Sequence, residues 1–351
     1  MRFSFLKSLL ALALITVSSM AQAQSAPFEH GWTLDGASSD LRFTSVKKGD
    51  VAETSSFVTL SGGIDENGAA NIEILLDSVD TKIDLRNVRM RFLFFETFLH
   101  PTATITAQLD PTVLSDLETV RSKVIPLTFT MTLRDVSLEK TTDVIVTLID
   151  MDRVQVAATT PLTIPTSEFD LETGRMKLEE AANVAITPLG IVSFHFTFDR
   201  TRPGQPANTG LVVQPTTPAN AALETSGDFD REACVGRFEI LSRTGNIYFG
   251  SGSARLDPKS MPLLDNLFDV VDRCPDLTIE IGGHTDSDGS AEANQALSQR
   301  RAQAVADYLA AKGVGGARMV VVGYGESQPF VENSSRANKA RNRRIEFAVV
   351  N

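Results

Sequence analysis

Two oppositely charged side chains, Asp286 and Arg301, frame the one stretch of this sequence whose residue types and spacing suggest specific chemistry. The stretch reads GGHTDSDGSAEANQALSQRRAQAVADYL, residues 282–309. Taken as a helix from Ala291, it places Asn294, Leu297, Arg301, Val305 and Leu309 on one broad stripe and turns Arg300 roughly 100° away. Arg301 is then a guanidinium aimed at an apolar side, where it needs a counter-charge from the protein or from a ligand. Asp286, in the loop just before that helix, is the nearest carboxylate in sequence. Spacing alone leaves two outcomes open. The pair locks the loop by binding itself, or it grips a dipolar amino-acid end group, with Asp286 on the ammonium and Arg301 forked onto the carboxylate.

The surrounding pattern predicts what carries this loop. Asp257-Pro258 reads as a helix start, with Met261, Leu264, Phe268 and Val271 on one stripe and Cys274-Pro275 as the stop. Leu277, Ile279 and Ile281 alternate as a strand, Ala291 to Lys312 reads as a helix ended by Gly313, and Met319–Val322 and Ile345–Val349 supply further strands. This second part is α+β, with helices against one sheet. The first part changes period. Leu127, Phe129, Met131 and Leu133 alternate with polar residues, as do Val192, Phe194, Phe196 and Phe198. With similar pieces at Leu41–Thr44, Asn71–Leu76, Thr102–Leu109 and Val144–Leu148, and helical character only near Asp84–Phe95, it predicts an all-β antiparallel barrel or sandwich. Between the two parts, TRPGQPANTGLVVQPTTP places four of the fifteen prolines in 18 residues. A semi-stiff linker over 201–225 follows, between domains at 24–200 and 226–351.

The chain of 351 residues has a formal net charge of −11 and 42% hydrophobic residues, which suits two globular domains and disfavours a nucleic-acid binder. Arg2 and Lys7, an apolar run from Leu9 to Val17 and Ala21-Gln22-Ala23 form a secretory signal peptide, 1–23, too short to span a membrane. The mature protein is then exported and has no transmembrane helix, and Cys234 and Cys274 read as a disulfide in an oxidising compartment. The basic run Arg336, Lys339, Arg341, Arg343, Arg344 is expected to put Arg344 at the pocket rim and to leave the others as a solvated face.

Several residues together carry a resemblance: GHTD, Gly289, Asn294, Leu297-Ser298, Arg301-Ala302, Gly323-Tyr324-Gly325-Glu326 with Pro329, and Asn342-Arg343-Arg344-Ile345-Glu346. Over about 236–351 the sequence resembles the OmpA-like C-terminal domain family. That family binds peptidoglycan non-covalently and grips the free end of diaminopimelate in the stem peptide. The resemblance implies Asp286 and Arg301 as the principal contacts, with Thr285, Asn294, Leu297 and Arg344 around them. Residues 28–199 resemble, through Trp32–Asp35, Ser39, Leu41, Phe43, Asp80-Thr81, Arg86-Asn87 and Phe94-Phe95-Glu96, the YceI-like family. Its lipocalin-like antiparallel barrels hold, in some members, a polyisoprenoid chain. Arg89 stands where that family often has His, and Asn87 where it has Asp, so no lipid-contacting residue carries over. Whether Phe94, Phe95, Phe129, Phe194 and Phe196 line a cavity or fill a solid core stays open.

The expected function is that of a periplasmic, wall-attached binding protein whose barrel takes an isoprenoid or other amphiphile. Its partners are peptidoglycan and that lipid. It needs no cofactor or metal and is not an enzyme. His30, His100, His195 and His284 are scattered outside HExxH or GxSxG contexts, and Asp286-Ser287-Asp288-Gly289 lacks the remaining acids of a calcium loop. His284 is expected to hydrogen-bond and order its loop. The alternative is a porin-type outer-membrane β-barrel joined to the same wall-binding domain. One Trp and three Tyr make poor aromatic girdles, and Glu73, Arg134 and Asp143 interrupt or border the strands.

Overall fold

Alternation in the first part does produce antiparallel strands: β1 (Trp32–Leu34), β2 (Asp40–Lys47), β3 (Val51–Phe57), β4 (Leu60–Ile64), β5 (Ala69–Leu75), β6 (Val79–Asp80), β7 (Thr102–Gln108), β8 (Ser122–Leu133), β9 (Val136–Asp150), β10 (Arg153–Ala158), β11 (Leu162–Pro165) and β12 (Ile186–Arg200). The computed structural model describes residues 27–201, 227–244, 247–250 and 252–350. The expected signal peptide, and all of the expected linker beyond Thr201, lie outside the described residues. Strands β1, β4, β5, β7, β8, β9, β10 and β12 pair in that order, and β12 returns to β1 with Trp32 opposite Arg200. The result is a closed eight-stranded barrel, which leaves no exposed edge along that ring. Another stretch of β12 pairs with β2, which extends the sheet through β3 to β6.

The strands face an apolar interior. On β9, Val144, Val146 and Leu148 are buried, while Ser137, Glu139, Thr141 and Asp143 are exposed. Hydroxyl pairs such as Thr128–Thr141 (2.9 Å) and Thr132–Ser137 (2.8 Å) cross the outer face. A barrel spanning lipid has the reverse arrangement, apolar outside, so the porin-type reading fits this domain less well. Arg134 belongs to the β8–β9 turn rather than to a strand. With Asp135 it adopts positive φ (49° and 63°), as a two-residue hairpin between Leu133 and Val136 requires, and its guanidinium bonds Glu96 Oε2 at 2.6 Å.

Helices cover one end of the barrel, α1 (Asp84–Arg89), which continues as a π-helical turn to Phe95, and α3 (Glu172–Ala182), while the short α2 (Leu117–Val120) lies at the other end, beside the start of β8 and the end of β9. The helix at 172–182 corrects the expectation that only 84–95 would be helical. Its apolar face is thin, burying only Gly174 and Leu178 while Met176 stays exposed, so it left little periodic signal.

The second part comprises α4 (Arg231–Thr244), α5 (Met261–Asp272), β13 (Ile279–His284), α6 (Ala291–Ala311), β14 (Met319–Gly325), α7 (Arg336–Asn342) and β15 (Ile345–Val349). β13 is central, parallel to β14 and antiparallel to β15. α6 lies so close on this sheet that a Cβ on Gly283 would come within 2.2 Å of Ser298 O, and one on Gly323 within 2.5 Å of Gln299 N. Both glycines are steric requirements of that packing. Cys234 on α4 is disulfide-bonded to Cys274 just beyond α5, 40 residues away, a closure worth about 4 kcal/mol by loop entropy.

The two parts touch. Arg237 on α4 is 2% exposed and donates to Asp84 Oδ2 of α1 at 2.8 Å, and its guanidinium stacks on Phe229 at 3.8 Å. Arg341 reaches Glu180 of α3 at 3.6 Å.

Candidate functional site

β13 runs out at His284, and the chain passes through Thr285 to Gly289 (φ 103°) before Ser290 caps α6 by accepting from Ala293 N. Asn294 fixes this loop. Its side-chain amide donates to Asp286 O (3.2 Å), Asp288 O (3.1 Å) and Glu326 Oε2 (2.6 Å), and the residue is buried. Thr285 N–H bonds Gly325 O at 2.9 Å, while its buried Oγ1 has no hydrogen-bond partner. The loop that sequence marked as the site is thus a rigid shelf at the ends of β13 and β14.

Asp286 is 6% exposed and accepts from Asp288 N–H at 3.0 Å. Its other oxygen is held by Arg343 Nη1 at 2.6 Å. The internal lock that sequence left open, Asp286 with Arg301, is therefore not the ion pair formed. Arg301, in the third turn of α6, donates through Nε to Ser253 O at 3.0 Å and lies 5.0 Å over the Phe249 ring. Among the described residues it has no carboxylate within ion-pairing distance. Burial above all, and the nearby Arg343 charge, hold its pKa below the usual value, while the Asp286 charge opposes them.

Arg301, Arg343 and Arg344 line a cavity of about 890 Å³ with Tyr248, Phe249 and Phe330, and Lys177 and Glu180 of α3 stand at its barrel side. Asp286, which Arg343 holds, is not in the wall of this cavity, and neither are Thr285 and Asn294. Leu297 is half-buried and also outside it. Arg344 is committed within the protein, to Glu346 Oε1 (2.6 Å), Asn342 O and Gln328 O.

The basic run is exposed at Arg336, Arg341 and Arg343, yet three of its members besides Arg344 are also ion-paired. Lys339 pairs with Asp288 at 2.5 Å, Arg341 with Glu180, and Arg343 with Asp286. Their carboxylates lie 51 or more residues away in sequence, so no local pattern exposed them. Phe249 and Ser253, which support Arg301, were equally invisible, having no charge to mark them.

His284 also departs from expectation. It is 1% exposed, stacks on Tyr324 at 5.0 Å, and neither ring nitrogen makes an aligned hydrogen bond. Nε2 nevertheless lies 3.3 Å from Glu346 Oε2. His284 is the largest influence holding the Glu346 carboxyl down to about 2. Burial works against it, and Arg344 adds to the lowering. A carboxyl with a native pKa below its ordinary 4.5 stabilises the fold fully above about pH 4.5, and that contribution fades as pH falls through about 2. Urea midpoints measured across that window are expected to fall less steeply for Glu346→Gln than for the natural chain; parallel curves would contradict the linkage.

The described residues hold no group of three or more His, Cys, Asp or Glu placed to bind a metal, and no helix among them is long and apolar enough to cross a membrane.

The barrel contains a second candidate site. Phe43, Phe57, Phe94, Phe95, Phe129 and Phe194 line a cavity of about 440 Å³, and a smaller one of about 130 Å³ shares Ile105, Phe129 and Phe194 with it. The rings contact one another in the wall at ordinary aromatic spacings, such as 5.5 Å (Phe43–Phe57) and 5.6 Å (Phe57–Phe95). The core is hollow rather than solid, in the size range of small-molecule sites.

Residues 248–343 match the family model described as the OmpA family, and residues 32–198 the model of a YceI-like domain. The peptidoglycan-binding protein ArfA of Mycobacterium tuberculosis is 41% identical over 105 residues, 30% of this chain and 32% of that protein. The peptidoglycan-associated lipoprotein of Pasteurella multocida is 34% identical over 135 residues, 36% of this chain and 90% of that one. A solved polyisoprenoid binding domain from Saccharophagus degradans is 34% identical, at a TM-score of 0.47, over 48% of this chain and 98% of that one. The match thus spans about a third of the length of ArfA and nearly all of the lipoprotein.

Proposed function

The chain belongs to the OmpA family and carries a YceI-like domain, and on that premise we propose that it docks on peptidoglycan through residues 226–351 while its barrel, within 24–200, holds an amphiphile. The wall ligand is the free dipolar end of diaminopimelate. Relatives named for peptidoglycan association support this reading. The observation that carries it is Arg301, a partly buried fork that has no carboxylate partner among the described residues and lines a cavity with Arg343, the residue that covers Asp286. A buried cation of this kind is most stable when an anion joins it. Binding exchanges partners: the ligand ammonium replaces the Arg343 guanidinium at Asp286, and its carboxylate settles on Arg301. Thr285, through its N–H on Gly325 O, and Asn294, through its side-chain amide, keep the shelf in place. Arg344 and Leu297 act as supports.

The barrel reading rests on the YceI-like match, the identity to a polyisoprenoid binding domain and the apolar cavity. A cleaved segment 1–23 and a linker over 201–225 complete the picture of an exported periplasmic protein tethered to the wall without catalysis. Co-sedimentation with isolated sacculi tests it. Free meso-diaminopimelate is expected to compete the protein off, and retention indifferent to the competitor would overturn the site.

A further inference from the structure

The larger barrel cavity is mainly apolar, with several cations in its lining, Lys47 and Lys48 among them. Arg42, Arg86, Arg89 and Arg175 all line it. Three of them are neutralised by the protein itself: Arg42 by Asp40 (2.5 Å), Arg86 by Glu53 (3.0 Å), and Arg175 by Glu172 and Glu179 (both 2.5 Å). Glu53 is shared further, since Lys47 bonds it at 2.6 Å. Arg89 differs. It lies one helical turn after Arg86 on α1, on the same face, yet no carboxylate among the described residues reaches it. Its Nε is buried and has no hydrogen-bond partner.

A guanidinium so placed holds unsatisfied donors against an aromatic wall, an arrangement that an acceptor entering the cavity would relieve. Phe94 and Phe95 follow Arg89 within two turns of the same helical segment, so the charge and these rings share the wall of the apolar cavity. The demand is for a group with two acceptor oxygens, because a guanidinium fork matches a carboxylate or phosphate in a way that a single hydroxyl cannot.

We propose that Arg89 is a head-group site, and that the barrel selects amphiphiles bearing an oxyanion, carboxylate or phosphate, over neutral chains of the same length. This rests on the reading of the barrel as an amphiphile carrier and specifies what it carries. Glu53 remains with Lys47 and Arg86, so the Arg89 charge is available to the ligand.

Calorimetric titration of the full-length protein with palmitate, hexadecanol, farnesyl phosphate and farnesol tests the assignment. Each anion is expected to bind about tenfold or more tighter than its alcohol. If only the fatty acid, or only the phosphate, shows that margin, the assignment stands and the source of the oxyanion is identified. Arg89→Gln is expected to bring the anions down to the level of the alcohols while alcohol binding is kept, which also shows that the variant is folded. Arg89→Lys is expected to keep part of the preference, as a point charge without the fork. Equal affinity of alcohols and anions in the natural chain, or a preference that survives Arg89→Gln, would overturn the head-group assignment and leave the carrier reading intact. If none of the four binds, the carrier reading itself fails and Arg89 with it.

Discussion

Asp286→Ala and Arg301→Ala are each expected to free the protein from isolated sacculi, with binding weakened about thirty-fold or more. Truncating one side of a buried, hydrogen-bonded charge contact costs about 2–5 kcal/mol. The two losses differ in kind. Arg301→Ala removes the cavity cation that has no carboxylate of its own, and nothing nearby replaces its geometry, because Arg344 is tied to Glu346 and two carbonyls. Asp286→Ala removes the seat for the ligand ammonium and releases Arg343, whose side chain is 44% exposed and can turn to solvent. Arg301→Lys should fall between, since it keeps charge and loses the fork. Arg343→Ala discriminates between two pictures. If Arg343 only occupies Asp286 until ligand arrives, its removal leaves binding within about threefold or tightens it, because a competitor for the carboxylate is gone and an exposed ion pair contributes little. A loss as deep as that of Arg301→Ala would mean that Arg343 itself holds the ligand and that the exchange does not occur. Full retention of both Asp286→Ala and Arg301→Ala would remove this site from the function altogether.

How far these features could be read from sequence depends on the range of the interaction behind them. Period-two alternation located β7, β8, β9 and β12 because each strand's pattern is written within its own few residues. Closure of the barrel was not written there, since it depends on Trp32 meeting Arg200. The helix α6 and its cap at Ser290 were legible, and so was the stripe bearing Arg301. The partner of Asp286 was not, because Arg343 comes from the turn between α7 and β15, 57 residues on. Helix α4 escaped notice for a physical reason: its buried face includes Arg237 beside Cys234, Phe238 and Leu241, and an arginine in the core face breaks the apolar period. The hollow barrel was equally hidden. The same phenylalanines would suit a filled core, and only their three-dimensional spacing decides between the two.

Arg237 leads to a stability result as large as the loss of wall binding. Its guanidinium is 2% exposed and ends on Asp84 of the barrel, so the ion pair joins the two parts of the chain through α1 and α4. Removing one partner from a buried pair costs about 3–5 kcal/mol, since the remaining charge stays desolvated. Asp84 is 47% exposed and Arg237 keeps Ala233 O and the Phe229 ring, so the lower end of that range applies to Asp84→Ala. A loss of about 3 kcal/mol lowers the melting temperature of a unit this size by roughly 6–12 °C. Arg237→Met behaves differently, because an apolar side chain of similar volume neither needs Asp84 nor strands a charge, and it is expected to melt near the natural chain. In calorimetry Asp84→Ala is also expected to split one transition into two as the parts come apart. An unshifted, single transition would show that the contact holds nothing together. The segment at stake has a second face: Asp84 meets α4 while Arg86, Arg89, Phe94 and Phe95 line the barrel cavity. Whatever fills that cavity therefore packs against the same short helix that anchors the second part, and the Asp84→Ala transition belonging to the barrel is the one an anionic amphiphile should raise again.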